Sequence, residues 1–271
     1  MGDIITIVMD IKELSFRDAL KLMHHILDLP FTMNYKPEQK KYNPLEVFKR
    51  VKSYCSNSDY SFKTYDENVL SDINYTRLPH INLIKEGISP KVQEEFGITY
   101  CSRQNRILFP HRHWSSGEIL GIFGRTTVEI YEILGIPKYF GVIGYPKSMN
   151  LYGLYENYEE IVKSGEVIIV EGEKSVLKLK SMNYGNAVAL GGHEMSLEQQ
   201  KILISLNVDI IFALDKDLDK QVSIDMCSKF KGIRNTYYID DKYDILGEKD
   251  APIDKGLKVW NYLYKNKVKV D

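Results

Sequence analysis

Short apolar runs alternate with helix-patterned segments through the second half of this chain. The predicted strands are residues 167–170, 187–190, 210–214 and 236–239. The predicted helices are residues 171–182, 197–206 and 222–230. Continuous apolar runs of this length are typical of strands buried on both faces of a sheet. Strands that alternate with helices predict an α/β unit with a mainly parallel sheet flanked by helices.

The segment before this unit carries a different pattern. Residues 84–96 predict one short helix, in which Ser89 and Pro90 supply a cap and a first-turn signal. Alternation of apolar and polar residues at 106–109 and 119–123 predicts two strands. A small mixed α/β unit is therefore expected before the parallel sheet, and the chain as a whole is expected to be α+β.

Length and patterning together divide the 271 residues into four predicted segments. Residues 1–83 form an N-terminal helical and linker region, with one helix over 15–29. Residues 84–160 form the small mixed unit and residues 161–255 the parallel-sheet domain. Residues 256–271 are expected to form a C-terminal helix or tail.

Charge is distributed unevenly over these segments. The formal total is −1, from 36 Lys and Arg against 37 Asp and Glu, which by itself argues against a nucleic-acid partner. Residues 101–147, however, hold six basic and three acidic residues, a net charge of +3. Residues 166–254 hold sixteen acidic and eleven basic residues, a net charge of −5. The near-zero total conceals a basic unit followed by an acidic one.

The cysteines and the apolar runs indicate the environment of the protein. Cys55, Cys101 and Cys227 are far apart and form no CxxC pair, so we expect neither a disulfide framework nor a zinc site. No apolar run approaches the roughly 20 residues that cross a bilayer. We therefore expect a cytoplasmic protein with no membrane partner.

Three carboxylates follow two of the predicted strands. Glu171 comes after the first strand, and Asp215 and Asp217 come after the third, where their i, i+2 spacing aims both side chains the same way. Ligands of open parallel sheets gather at this edge, and clustered carboxylates repel one another unless a cation joins them. We therefore predict a site for Mg²⁺ or Mn²⁺, which Asp250 and Asp254 could complete. A lone Asp-x-Asp pair is more often a solvated loop, so the prediction depends on the ordered set.

The same region resembles a TOPRIM domain. Its successive motifs are matched at residues 171–175, 189–192, 213–217 and 249–254. That domain occurs in DnaG-type primases, topoisomerases, recombination proteins and several nucleases. The resemblance to TOPRIM does not choose among these activities.

The upstream segment is similar to the basic half of the DnaG-type RNA polymerase core. The matching residues are 86–89, 96–98, 106–110, 117–125, 137–139, 147 and 151–154. The chain most resembles short phage primases that lack the zinc-binding domain, since residues 1–85 contain only Cys55. Ser175 stands where cellular primases usually carry a metal-binding aspartate, which leaves the number of metals open.

The resemblance implies a synthesis of short RNA primers on single-stranded DNA from ribonucleoside triphosphates. It implies catalytic roles for Glu171, Asp215 and Asp217, with Asp250 as a further metal ligand. The implied phosphate-binding residues are Arg106, Arg125, Lys138 and Lys147. Implied partners are a replicative helicase and a separate zinc-binding protein. Two alternatives stay open: a TOPRIM nuclease, and a catalytically weak nucleic-acid-binding replication subunit.

Overall fold

A computed structural model describes residues 4–28, 63–71 and 75–270 of the chain. The chain divides into two compact units, residues 1–44 and 45–271. The described part of the first unit contains helices α1 (Ile4–Lys12) and α2 (Phe16–Ile26). Helix α2 begins at Ser15, whose hydroxyl accepts a hydrogen bond from the Asp18 N–H, as expected of an N-cap. The predicted end of this helix at residue 29, and Cys55, lie outside the described residues.

The second unit begins with an antiparallel sheet of five strands in the order β1-β2-β3-β4-β5. The strands are β1 (Tyr75–Thr76), β2 (Thr99–Cys101), β3 (Arg106–Arg112), β4 (Ile119–Thr126) and β5 (Tyr139–Ile143). Three short helices accompany them, α3 (Asn68–Ser71), α4 (Ile81–Lys85) and α5 (Pro90–Glu95). The predicted strands at 106–109 and 119–123 are confirmed within longer strands, whereas β1, β2 and β5 were not predicted.

The prediction of one continuous helix over 84–96 was wrong. Helix α4 ends at Lys85, and Gly87 adopts a φ of +88°, a left-handed conformation that glycine tolerates best. Helix α5 then begins at Pro90, behind the Ser89 hydroxyl, which accepts from the Val92 N–H at 3.3 Å. The cap signal was therefore correct, but it marks the start of a second helix.

A second sheet of five strands follows, in the order β10-β9-β8-β6-β7. Its strands are β6 (Glu166–Val170), β7 (Ala187–Ala189), β8 (Asp209–Phe212), β9 (Thr236–Tyr238) and β10 (Val268–Val270). Its helices are α6 (Leu154–Ser164), α7 (Glu173–Ser181), α8 (Leu197–Ser205), α9 (Lys220–Ser228) and α10 (Leu257–Lys265). Strands β6 to β9 are parallel, which confirms the predicted sheet. The tail contains the expected helix and also the antiparallel strand β10, which was not predicted.

Alternate residues of the parallel strands face two different apolar cores. Ile169 and Phe212 point to one face, which helices α6, α8 and α9 cover. Ile168 and Ile211 point to the other, where helices α7 and α10 pack together with Phe96 and Phe109 of the upstream half. Because the two sheets share this second core, their relative placement within the unit is fixed. The boundaries at 83, 160 and 255 stay predictions.

Among the described residues, no helix is both long enough and apolar enough to span a membrane.

Candidate metal and nucleotide site

Three carboxylates meet at the carboxyl edge of the parallel sheet. Glu171 follows β6, and Asp215 and Asp217 follow the neighbouring strand β8. One carboxylate oxygen from each of the three lies within 4.8 Å of the others. The structure therefore brings together the three residues that the sequence singled out, and it does so because parallel neighbours end at the same edge.

The backbone and one histidine orient Glu171 within this cluster. Its Oε1 accepts a hydrogen bond from the Asp215 backbone N–H at 2.9 Å. Its Oε2 lies 2.7 Å from Nδ1 of His193, which is largely exposed in the loop after β7. Sequence reasoning missed His193, although it directly follows the Gly191-Gly192 pair that marked this loop.

The charged form of Asp215 is disfavoured within this cluster. Burial first, and then the charges of Glu171 and Asp217, raise the pKa of Asp215 from 3.8 to about 7. Its Oδ1 is buried and accepts no hydrogen bond from the described residues. Oxygen ligands with uncompensated negative charge are what a hard divalent cation requires. The cluster therefore fits a divalent metal cation, which Glu171, Asp215 and Asp217 would hold.

Asp250 and Asp254 lie beside the cluster with other partners. Asp250 Oδ2 is 2.8 Å from Lys255 Nζ and accepts from the Gly247 N–H at 2.7 Å. Asp254 pairs with Lys178, and its charge contributes to the raised pKa of Asp215. Asp250 is not one of the three residues whose oxygens meet, so its role as a metal ligand stays a prediction.

Arg106 has a different environment from the other basic residues that were predicted to bind phosphate. It is 7% exposed, and its guanidinium donates to the carbonyls of Gly124 at 3.0 Å and Pro137 at 3.1 Å. Its stem lies against Gly124, where an added Cβ would come within 2.9 Å of Arg106 Cδ. These contacts give Arg106 a structural role between β4 and the loop before β5, and phosphate binding there stays a prediction.

Arg125 lies at the junction of the two halves of the second unit. Its guanidinium forms a two-pronged pair with Glu86, at 3.0 and 2.8 Å, and Lys174 Nζ of α7 is 2.8 Å from the same carboxylate. Burial would raise the pKa of Glu86, but Arg125 and then Lys174 outweigh it and lower the pKa to about 2. Arg125 and the exposed Lys138 line the same cavity of about 150 Å³.

Replacing Glu86 by glutamine is expected to destabilise the protein by about 1–2 kcal/mol at pH 7. The folded pKa of about 2 lies below the ordinary value of 4.5, so this stabilisation is present above pH 4.5 and is lost as pH falls toward 2. Urea unfolding of both proteins at pH 7 and pH 3 measures the difference. A difference that is absent at pH 7, or undiminished at pH 3, would contradict the assignment; Glu198→Gln, at the surface pair with Lys201, is the control.

Lys147 begins a 3-10 turn, Lys147–Met149, and reaches α7 from the upstream half. Its Nζ lies 2.7 Å from Glu173 Oε1 and 4.0 Å from the centre of the Phe123 ring. Of the four predicted phosphate-binding residues, Arg125 and Lys147 thus contact carboxylates at the junction, Lys138 is exposed and Arg106 is buried.

The chain is similar in sequence to a prophage-derived protein and to several DNA primases. No known protein-family profile matches the chain. A prophage-derived uncharacterized protein of Bacillus subtilis (strain 168) is 30% identical, over 76% of this chain and 61% of its own length. The DNA primase of Buchnera aphidicola subsp. Baizongia pistaciae is 33% identical, over 55% of this chain and 24% of its own length. The chain thus spans less than two thirds of either relative.

Solved structures share the fold. The Aquifex aeolicus primase, with its zinc-binding and RNA polymerase domains, superposes with a TM-score of 0.58 at 20% identity, covering 99% of this chain and 71% of that one. A DnaG primase catalytic domain bound to single-stranded DNA gives a TM-score of 0.50 at 18% identity, covering 84% of this chain and 74% of that one. These likenesses show that the chain shares the fold of the DnaG primase catalytic core. Over part of its length the chain is also similar in sequence to DNA primases.

Proposed function

We propose that the chain is a primase-type nucleotidyltransferase that makes short RNA primers on a single-stranded DNA template. The observation that carries the proposal is that Glu171, Asp215 and Asp217 meet at one edge of the parallel sheet. One of the two apolar cores of this sheet is shared with the basic upstream half. A DnaG catalytic domain of the same fold binds single-stranded DNA, which supports the choice of template.

The reaction joins a 3′-hydroxyl to the α-phosphate of a ribonucleoside triphosphate while pyrophosphate leaves. Mg²⁺ or Mn²⁺ held by the three carboxylates would supply charge neutralisation on the attacking and departing oxygens. Lys147, Arg125 and Lys138 would contact the triphosphate or the template phosphates from the opposite wall. His193 and the Asp215 N–H hold the Glu171 carboxylate in its orientation toward the cluster.

The similarity to a prophage-derived protein and the identity of residue 175 bear on the biological setting of this chain. Similarity to a prophage-derived protein favours a phage primase acting in the cytoplasm of a bacterium or infected host. Ser175, in the first turn of α7, stands where the resemblance to cellular primases places a metal-binding aspartate. The number of metal ions that the site holds is therefore not part of this proposal. A replicative helicase and a separate zinc-binding protein are the proposed partners, and no zinc ion is part of this proposal.

A double-label assay tests synthesis against cleavage. The protein is incubated with a 5′-labelled single-stranded DNA template, a differently labelled ribonucleotide and Mg²⁺ or Mn²⁺. We expect short labelled RNA and an intact template, with the RNA lost in Glu171→Ala and kept in Glu198→Ala. A shortened template without RNA would support the nuclease instead. Template binding with neither product, also when the cognate helicase is added, would support the accessory subunit.

A further inference from the structure

Glu173 is a buried carboxylate that is not one of the three carboxylates of the candidate metal site. It lies in the first turn of α7, two residues after Glu171, and its side chain is 7% exposed. One of its oxygens, Oε1, lies 2.7 Å from Lys147 Nζ and 3.1 Å from His111 Nε2. Both partners come from the upstream half, so Glu173 joins that half to the strand end that carries Glu171.

His111 fixes the carboxylate from the interior. Its ring is 1% exposed and packs against the rings of Phe123, at 4.8 Å, and Tyr152, at 4.7 Å. Its Nδ1 is 2.8 Å from the Tyr145 hydroxyl, so both ring nitrogens have a polar neighbour. Burial lowers the pKa of His111, although the neighbouring Glu173 acts in the opposite direction. Of the two nitrogens beside Glu173 Oε1, Lys147 Nζ is the nearer, at 2.7 Å against 3.1 Å for His111 Nε2.

Lys147 reaches Glu173 across the edge of the sheet that carries the three carboxylates. Its stem crosses Gly191, where an added Cβ would come within 2.9 Å of Lys147 Cδ. The Gly191 N–H in turn donates to the Glu171 carbonyl at 2.8 Å. The lysine thus lies against the strand ends from which the carboxylate cluster projects, and 26% of its side chain stays exposed.

This arrangement allows two opposite roles for Glu173. As a counter-ion it would compete with an incoming phosphate for Lys147. As a support it would hold the ammonium in one direction, so that the lysine gives up its rotamer freedom before a ligand arrives. The supporting role is favoured by burial: 7% of the Glu173 side chain is exposed against 26% of that of Lys147, so the lysine is the member of the pair that a ligand can reach. The Phe123 ring and Gly191 hold the same lysine from its other sides.

We propose that Glu173 is a positioning residue that aims Lys147 at the nucleotide triphosphate, with His111 fixing Glu173 in turn. The inference rests on the proposed function, because it assigns Lys147 a phosphate of the substrate. It adds a residue that acts through the lysine and does not itself contact the nucleotide.

A double-mutant cycle tests the inference. The binding of α,β-methylene ATP with Mg²⁺ is measured by calorimetry for the wild-type protein, Glu173→Ala, Lys147→Ala and the double variant. We expect each single variant to weaken binding about tenfold, as for the loss of a charged contact. The double variant should bind no more weakly than Lys147→Ala alone, because Glu173 acts through the lysine. In primer synthesis, the KM for ribonucleotide should rise more than kcat falls.

Two further measurements separate positioning from a general structural role. Mn²⁺ binding to the carboxylate cluster, followed by electron paramagnetic resonance, should change less than about twofold in Glu173→Ala, since the Glu173 carboxylate contacts Lys147 and His111 rather than the three ligands. Glu173→Asp keeps the charge but shortens the side chain, and it should also weaken nucleotide binding. This variant replaces Glu173→Ala in the test if the alanine variant does not fold. Glu198→Ala, which breaks the 2.7 Å pair with Lys201 in the first turn of α8, is the matched control and should bind normally.

Unchanged or tighter nucleotide binding in Glu173→Ala or Glu173→Asp would overturn the inference, as would a further loss in the double variant. In those cases wild-type binding and primer synthesis remain, and the proposed function survives. A wild-type protein that neither binds the nucleotide nor makes RNA would overturn both.

Discussion

Replacing Asp215 by asparagine is expected to abolish primer synthesis and, in metal-free buffer at pH 8, to stabilise the fold. Activity should fall about a thousandfold or more, because the substitution removes a ligand from the site that stabilises charge in the transition state. The stabilisation should be about 1–2 kcal/mol, less than the full pKa shift implies, since solvent screens the open side of the cluster.

The substitution is expected to stabilise the metal-free fold because the pKa of Asp215 is raised. Asp215 binds its proton more tightly in the folded chain, with a pKa of about 7, than at its ordinary value of 3.8. The metal-free protein therefore loses stability as pH rises from 3.8 to about 7, and the whole penalty is present above that. Asparagine carries no charge, so the variant does not show this loss of stability at high pH.

Thermal unfolding in EDTA at pH 4 and pH 8 measures this effect. Asp215→Asn should unfold at a higher temperature than the wild type at pH 8, and the difference should largely vanish at pH 4. Asp225→Asn is the control, because Asp225 is exposed on α9 and lies outside the cluster. A variant less stable than the wild type at pH 8 would contradict the penalty that burial and the neighbouring carboxylates place on the charge of Asp215.

Truncating Trp260 to alanine is expected to destabilise the protein by about 3–5 kcal/mol. Trp260 is fully buried in α10, and its ring lies 5.6 Å from Tyr184 and 5.4 Å from Tyr264. It belongs to the core that the parallel sheet shares with the upstream half, so its removal leaves a cavity between them. Urea unfolding gives the magnitude.

The same helix supplies the control for this prediction. Tyr262 is 42% exposed, and Tyr262→Ala should change the free energy of unfolding by less than about 1 kcal/mol. A comparable cost for both variants, or a small one for Trp260→Ala, would mean that α10 is not part of the core.

The parallel sheet could be predicted because its strands are buried on both faces and therefore read as unbroken apolar runs. Strand β10 could not, because Val268–Val270 is a short, largely exposed edge that depends on pairing with β9. The break between α4 and α5 depends on one glycine conformation, at Gly87, inside a segment whose apolar spacing still favours a helix.

The candidate site divides in the same way. Glu171, Asp215 and Asp217 were predictable, since Glu171 directly follows β6, the two aspartates come shortly after β8, and the topology brings those strand ends together. The pairing of Glu173 with His111 and Lys147 was not, because no local pattern links α7 to the end of β3 or to the turn after β5. Arg106 resembles a phosphate ligand in sequence, whereas in the fold its guanidinium binds two carbonyls.

Templated synthesis is the most direct test of the central claim, that the three carboxylates catalyse primer formation. Two single-stranded DNA templates of different sequence are each incubated with the protein, all four ribonucleotides and Mg²⁺ or Mn²⁺, and the products are sequenced. We predict short RNAs complementary to each template from the wild type and none from Asp215→Asn. RNA that does not follow the template, or equal yields from the wild type and the variant, would contradict the claim.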